Sequence, residues 1–90
     1  MRKESIGDTG GSGPAIVMIH GWGQTGRAFD PLSNLLKPDF RVITVDLAGH
    51  GTAKDEPGPY TFTRYCDDIA VVVRQLGLDK FHLLGWSMGG

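Results

Sequence analysis

The sequence has little of what several functional classes require. It holds one cysteine, Cys66, so no internal disulfide can staple it, which fits a reducing compartment. His20, His50, His82 and Cys66 stand at no metal-ligand spacing, and no metal is expected. Neither sign of charge dominates. The formal net charge is −1, which offers no electrostatic footing on nucleic acid or an anionic membrane surface. The longest unbroken apolar run, Ala15 to Ile19, is far too short to span a bilayer. Met1-Arg2-Lys3-Glu4-Ser5 leads into glycine rather than an apolar segment. No signal peptide is read there, and a cytoplasmic location is the expectation. A Gly-x-Gly-x-x-Gly after a strand is missing too. The run Gly10-Gly11-Ser12-Gly13 precedes an apolar stretch instead and reads as a turn, so no cofactor is expected.

What is present suits one small globular domain. Ninety residues at 40% apolar can build one core at most. Residues 2–7 read as part of a strand, and Gly7 to Pro14 as a hairpin turn into the next one. Ala15-Ile16-Val17-Met18-Ile19 is continuous rather than alternating, as in a parallel strand covered on both faces. Over 27–36, Phe29, Leu32, Leu35 and Leu36 recur at helical spacing, with Pro31 tolerable in a first turn. Arg41 to Val45 is a second buried strand, closed by Asp46, and Leu47 to Pro59 is a long loop. Thr61 or Thr63 can cap a second helix, whose stripe is Phe62, Tyr65, Ile69, Val72, Val73 and Leu76, with Gly77 ending it. Lys80 to Leu84 is a third strand. Strand, helix, strand, helix, strand with right-handed crossovers predicts an α/β layer: three parallel strands, two crossover helices and a partial N-terminal hairpin strand.

The chemistry is concentrated in Gly85-Trp86-Ser87-Met88-Gly89-Gly90, directly after that third strand. A serine on a sharp strand-to-helix turn holds its hydroxyl proud of the sheet, where a carbonyl can reach it. Such a corner strains the serine backbone and brings the residues two before and two after it together, where only Gly85 and Gly89 avoid a clash. The Met88 N–H, one residue past the serine, is one candidate donor to a developing oxyanion. His20-Gly21-Trp22-Gly23, the loop after an earlier strand, is placed to give the second. There Gly21 and Gly23 allow a tight turn that faces the Trp22 N–H inward, while the indole packs.

Three stretches then resemble a known family. Val17 to Gly23, Val42 to Gly51 and Leu83 to Gly90 are similar, in order and spacing, to the N-terminal signatures of the α/β-hydrolase fold superfamily. The Gly-Trp-Ser-Met-Gly-Gly and His-Gly-Trp-Gly pair most resembles its pimeloyl-acyl-carrier-protein methyl ester esterase branch. The resemblance implies that Ser87 is the nucleophile and that the Trp22 and Met88 amides form the oxyanion hole. It implies that His20 holds its loop by hydrogen bonds, and that a small-molecule carboxylic ester or acyl compound is cleaved through an acyl-enzyme. Thr52 departs from the serine common after the Gly-x-Gly turn, away from the chemistry. Relatives run to more than twice this length. Residues 1–90 are therefore expected to be an incomplete hydrolase domain ending at the elbow, marginal in stability and inactive alone. Its histidine and acid would come from later segments, and a complementing C-terminal segment is a candidate partner.

No residue in the chain replaces the missing base convincingly. His50 lies on the correct end of the sheet and is the only stand-in to consider. His82 sits in the third strand, below the elbow and packed. Asp46 hydrogen-bonds the turn beyond it, Asp67 and Asp68 are solvated, and Cys66 is a small core residue. Serine at 87 argues against the aspartate-nucleophile dehalogenases and epoxide hydrolases. Carbon–carbon hydrolases, thioesterases and cofactor-free haloperoxidases stay open, as does a non-catalytic small-ligand-binding protein of the same fold.

Overall fold

A computed structural model of the chain describes residues 3–90, apart from the side chain of Met88. The elements are β1 (Ile6–Asp8), β2 (Ala15–Ile19), α1 (Asp30–Leu36), β3 (Arg41–Val45), α2 (Phe62–Gln75) and β4 (Phe81–Gly85), with short 3-10 turns between them. One sheet runs in the order β1-β3-β2-β4. β2 pairs in parallel with both β3 and β4, as the α/β reading expects.

Register decides where function can sit. Ile19 lies opposite Val45 on one side and Gly85 on the other. The three parallel strands thus end level, and the loops after them emerge side by side on the carboxyl edge.

The two-residue period of a strand sorts the core into two clusters. Val17, Ile19, Ile43 and Val45 face α2 and pack with Tyr65 and Val72. Ile16, Met18 and Val42 face α1 and pack with Phe29. All five β2 residues are buried, which explains a continuous apolar run rather than an alternating one. The side chains of Ile16, Val17, Met18 and Ile19 each contribute about 1.5–3 kcal/mol of transfer free energy. One threonine caps the 3-10 turn Gly26–Phe29 that leads into α1, and another caps α2. Thr25 accepts from the Arg27 N–H just before α1, and Thr61 accepts from the Arg64 N–H at the start of α2.

Several expectations are corrected. The N-terminal strand is not a hairpin partner of β2; β1 pairs antiparallel with β3. The glycine-rich segment therefore steps across the end of β3 instead of folding back. Thr9 anchors it, its hydroxyl accepting from the Val42 N–H and its own N–H donating to the Val42 carbonyl. Asp8 and Arg41 lock the same place: Nε reaches Oδ1 at 3.1 Å and the terminal nitrogen reaches Oδ2 at 2.7 Å. Leu35 and Phe62 point outward although they keep the helical spacing, because each lies on the rim of its stripe. Cys66 is exposed, turned one step off the Tyr65–Ile69–Val72 line. Asp68 is not simply solvated; Arg64 Nε holds it at 2.9 Å, one turn away. His82 is exposed, because α1 lies over the other strands and leaves that end of β4 uncovered.

The Asp8–Arg41 pair lies at the surface but is bidentate, and the guanidinium bond holds the Asp8 carboxyl below its ordinary 3.8. Asp8→Asn is expected to cost about 1 kcal/mol in urea unfolding at neutral pH. The difference should shrink as pH falls below about 3.8 and vanish below the lowered folded-state pKa, where Asp8 itself becomes neutral in the native protein. No loss at neutral pH would mean that Thr9 alone holds β1.

Candidate active site

Ser87 stands at the sharpest backbone corner of the carboxyl edge. Its φ is +56°, and it is the only non-glycine with positive φ among the described residues. An L-residue in that region costs about 1–2 kcal/mol. Trp86 before it is extended, and Ser87–Gly89 form a single 3-10 turn, closed by Gly89 N–H to the Trp86 carbonyl at 2.9 Å.

The neighbouring glycines explain why the chain accepts this strain. A methyl group on Gly85 would overlap the Gly89 carbonyl oxygen, and one on Gly89 would overlap the Ile19 carbonyl oxygen. The corner can close only where both side chains are absent. Gly21 matters from the opposite side: a Cβ there would lie 3.2 Å from the Ser87 Cβ and 3.3 Å from the Trp86 carbonyl oxygen. The 20–23 loop and the elbow are therefore in contact. Met88 lies within the 3-10 turn, between Ser87 and Gly89.

The loop itself is held at nearly every amide. Gly21 N–H donates to Gln24 Oε1, Gln24 N–H to the Gly21 carbonyl and Gly23 N–H to His50 Nε2. Gly23 has φ +79°, so only glycine takes its place without strain. Among the described residues the Trp22 N–H has no acceptor. Its indole does not pack as expected. It is 64% exposed and touches the His50 ring by one edge, centroids 5.0 Å apart.

Each histidine has a different environment. His20 is fully buried, receives the Leu47 N–H on Nε2 at 3.0 Å and sets Nδ1 2.7 Å from the Gly21 carbonyl. An amide must donate and a carbonyl must accept, so the ring is neutral with its proton on Nδ1. His50 is buried with the same polarity: Gly23 N–H reaches Nε2 at 3.0 Å, and Nδ1 faces the Ala48 carbonyl at 3.1 Å. Both nitrogens of His50 are thus engaged by backbone, which leaves no lone pair for Ser87. His82 is far down β4 and exposed.

Asp46 behaves as a turn anchor. Its Oδ1 accepts from the Gly26 N–H at 2.8 Å, and its Oδ2 from the Thr52 N–H at 3.0 Å and lies 2.8 Å from the Thr52 hydroxyl. Burial alone would raise this carboxyl; the bonds from Gly26 and Thr52 outweigh it and hold the group below the ordinary carboxylate range. The tie to Gly26, twenty residues earlier, was invisible in the sequence, as was the Tyr65 hydroxyl donating to the Ala48 carbonyl at 3.0 Å. Neither pairing follows a local spacing, so no periodicity could signal it. Beside the elbow, an open apolar groove of about 540 Å³ runs between α2 and β4, lined among others by Tyr65, Val73, Phe81, Leu83 and Gly89. No group of three or more His, Cys, Asp or Glu among the described residues could hold a metal ion. No described helix is long and apolar enough to cross a membrane.

Helices on both faces of a mostly parallel sheet, with a strained serine on the turn that leaves its edge strand β4, define an α/β protein. The chain belongs to the alpha/beta hydrolase fold family, whose model matches residues 14–90. It is 38% identical over 81 residues to a pimeloyl-[acyl-carrier protein] methyl ester esterase of Aeromonas salmonicida (strain A449), covering 89% of this chain and 30% of that protein. It is 34% identical over 86 residues to a fluoroacetate dehalogenase of Burkholderia sp, covering 90% of this chain and 28% of the relative. Among solved structures, an esterase from Exiguobacterium antarcticum superposes with a TM-score of 0.85 at 40% identity, over 93% of this chain and 31% of that one. The chain thus spans about three tenths of the length of these relatives.

Two outcomes test the geometry. Ser87→Gly removes the left-handed penalty of about 1–2 kcal/mol and adds a glycine entropy cost of about 0.5–1 kcal/mol. The variant is therefore expected to gain about 0.5–1 kcal/mol in denaturant unfolding; a loss would show that the corner is unstrained. The second concerns pH. Burial first, and then the neighbouring His50, push the His20 pKa below its ordinary 6.5 against the opposing pull of the Gly21 carbonyl and Asp46. The unfolded chain therefore binds that proton more readily, so the His20 contribution is whole above pH 6.5 and is lost as pH falls below it. The melting temperature should drop between about pH 7.5 and about pH 5.5, where few carboxylates titrate; a flat profile would contradict the buried neutral ring.

Proposed function

We propose that this chain carries the nucleophile and oxyanion-binding part of a serine hydrolase that cleaves carboxylic esters through an acyl-enzyme. The observation that carries the proposal is the positive-φ Ser87 corner pressed against Gly21. A hydroxyl on such a corner is exposed to a bound carbonyl, and the 21–23 loop is beside it to receive the negative charge.

The steps follow from ester chemistry. Ser87 Oγ attacks the acyl carbon, and a base takes the hydroxyl proton as the new C–O bond forms. The carbonyl π pair moves onto oxygen, where the Trp22 and Met88 N–H groups stabilise it, each donor being worth about 10²–10³ in rate. The tetrahedral intermediate collapses, the alcohol leaves with the proton, and water later releases the acid by the same route. The freedom of the Trp22 amide from any acceptor among the described residues supports its part. Gly21, Gly23, Gly85 and Gly89 shape the two backbones and touch no substrate.

In this reading the base is not among the chain's histidines: His20 and His50 accept backbone N–H groups on Nε2, and His82 lies opposite Ile16, three residues down β4 from Gly85. In this proposal the base and its carboxylate come from a complementing C-terminal segment, and the chain by itself turns over no ester. A positioned base contributes about 10²–10⁴-fold, so the lone hydroxyl is a weak nucleophile. The substrate is a small ester or acyl compound, by likeness to the Aeromonas esterase, and the location is cytoplasmic.

The test uses a fluorophosphonate probe, which bonds to an activated serine. The chain alone should label no faster than its Ser87→Ala variant. A chimaera in which it replaces the matching part of the Aeromonas esterase should label and hydrolyse ester, and Ser87→Ala in that chimaera should lose at least about 10³-fold. Undiminished activity in that variant would remove Ser87 from the chemistry.

A further inference from the structure

The two loops that frame the elbow are joined by an exchange. His20, on the loop after β2, takes its hydrogen bond from Leu47 on the loop after β3. His50, on the loop after β3, takes its own from Gly23 on the loop after β2. Each ring accepts on Nε2 and faces a carbonyl of its own loop with Nδ1, and the ring centroids lie 4.9 Å apart. Neither loop can shift without breaking a bond to the other.

Within this pair the rings hold successive peptides of the loop: His20 Nδ1 donates to the Gly21 carbonyl, on the peptide that carries the Trp22 N–H, and the peptide after it is held by His50. Its Nε2 holds Gly23, the residue directly after Trp22, and its ring abuts the Trp22 indole. Its own orientation is fixed from behind, because Nδ1 and the Tyr65 hydroxyl both point at the Ala48 carbonyl. A helix residue, Tyr65, therefore reaches the oxyanion loop through two links. We infer that His50 is a positioning residue: as a neutral Nδ1–H imidazole it fixes the Trp22–Gly23 peptide, and so holds from the far side the residue whose N–H is presented to Ser87. This rests on the proposed donor role of Trp22. It replaces the alternative of His50 as a stand-in base, since the lone pair a base would need is spent on Gly23.

The experiment is read by nuclear magnetic resonance on the 90-residue chain and never involves Ser87 reactivity. A failure of probe labelling in the chimaera would thus count against the proposed function and leave this inference standing, and the reverse also holds. In the wild-type chain the imidazole nitrogen shifts of His50 should show Nδ1 protonated and Nε2 bare, with a through-bond coupling from the Gly23 N–H. A protonated Nε2 would overturn the inference. His50→Asn keeps a donor for Ala48 and loses the acceptor for Gly23. The Gly23 amide should then exchange about tenfold faster, as expected for loss of one hydrogen bond, while the Leu47 amide on His20 is unchanged. His50→Gln, whose side-chain oxygen reaches the Nε2 position, should return Gly23 to within about threefold of wild type. A purely structural role would speed Gly23 and Leu47 together and show no rescue, which would overturn the inference. In a Trp86→Phe background the remaining indole reports on Trp22, and His50→Asn should shift its emission. An unmoved emission would mean that Trp22 is placed without His50. Should His50→Asn fail to fold, the wild-type coupling decides alone.

Discussion

Two constraints meet at the Ile19 carbonyl. It accepts the Trp86 N–H at 3.1 Å, which carries the β2–β4 pairing one residue beyond the end of the strand. It also faces Gly89 so closely that a methyl group there would overlap it. The chain leaving β4 is thus drawn toward β2 and then turned back within four residues. Ser87 sits at the midpoint of that reversal, and a positive φ is how the backbone makes it. Were Ile19 and Gly85 out of register by one residue, every side chain of β4 would change faces and the corner would lose its anchor.

Much of this was legible because it depends on local pattern. The continuous run at 15–19 gave a strand covered on both faces, and the threonine and glycine at the ends of α2 gave its limits. The elbow was legible because glycine is the only residue that fits two close backbones, so the geometry leaves a mark in the sequence at Gly85 and Gly89. What stayed hidden depends on pairing at a distance. Nothing local says that Ile6 meets Val45 rather than β2, since a short strand after a glycine-rich turn suits a hairpin equally well. Cys66 and His82 were misplaced for a related reason. Each sits among apolar residues, but its exposure is set by which neighbour covers β4 and the adjoining flank of α2, and among the described residues none does.

The histidines show how burial and hydrogen bonding decide a role that residue type leaves open. Next to a serine, a histidine invites assignment as a base. A base needs an unengaged lone pair, and both candidates near the carboxyl edge have spent theirs on backbone amides. Neutral imidazole suits this use, because a single ring offers one acceptor and one donor in fixed opposite directions. A charged ring at His20 would turn a donor toward the Leu47 N–H in a site without exposed surface, which is why burial drives its pKa down. The same two residues that look catalytic in a list are better matched to fixing two loops against each other.

The strain at Ser87 bears on where the corner gets its support. A cost of about 1–2 kcal/mol is a sizeable part of the stability of any domain this small. It persists only if the surroundings determine it from more than one side. Here the restraints come from the β2 side, through Ile19, His20 and Gly21, and from the turn's own bonds at Gly89 and Gly90. Both sets lie within these residues. The shape of the elbow is therefore a property of the sheet edge, settled before any partner segment or substrate adds a contact, while activation of the hydroxyl is a separate matter of proton transfer. In the proposed reading, geometry and reactivity are supplied by different parts of the protein, and residues 1–90 hold the first.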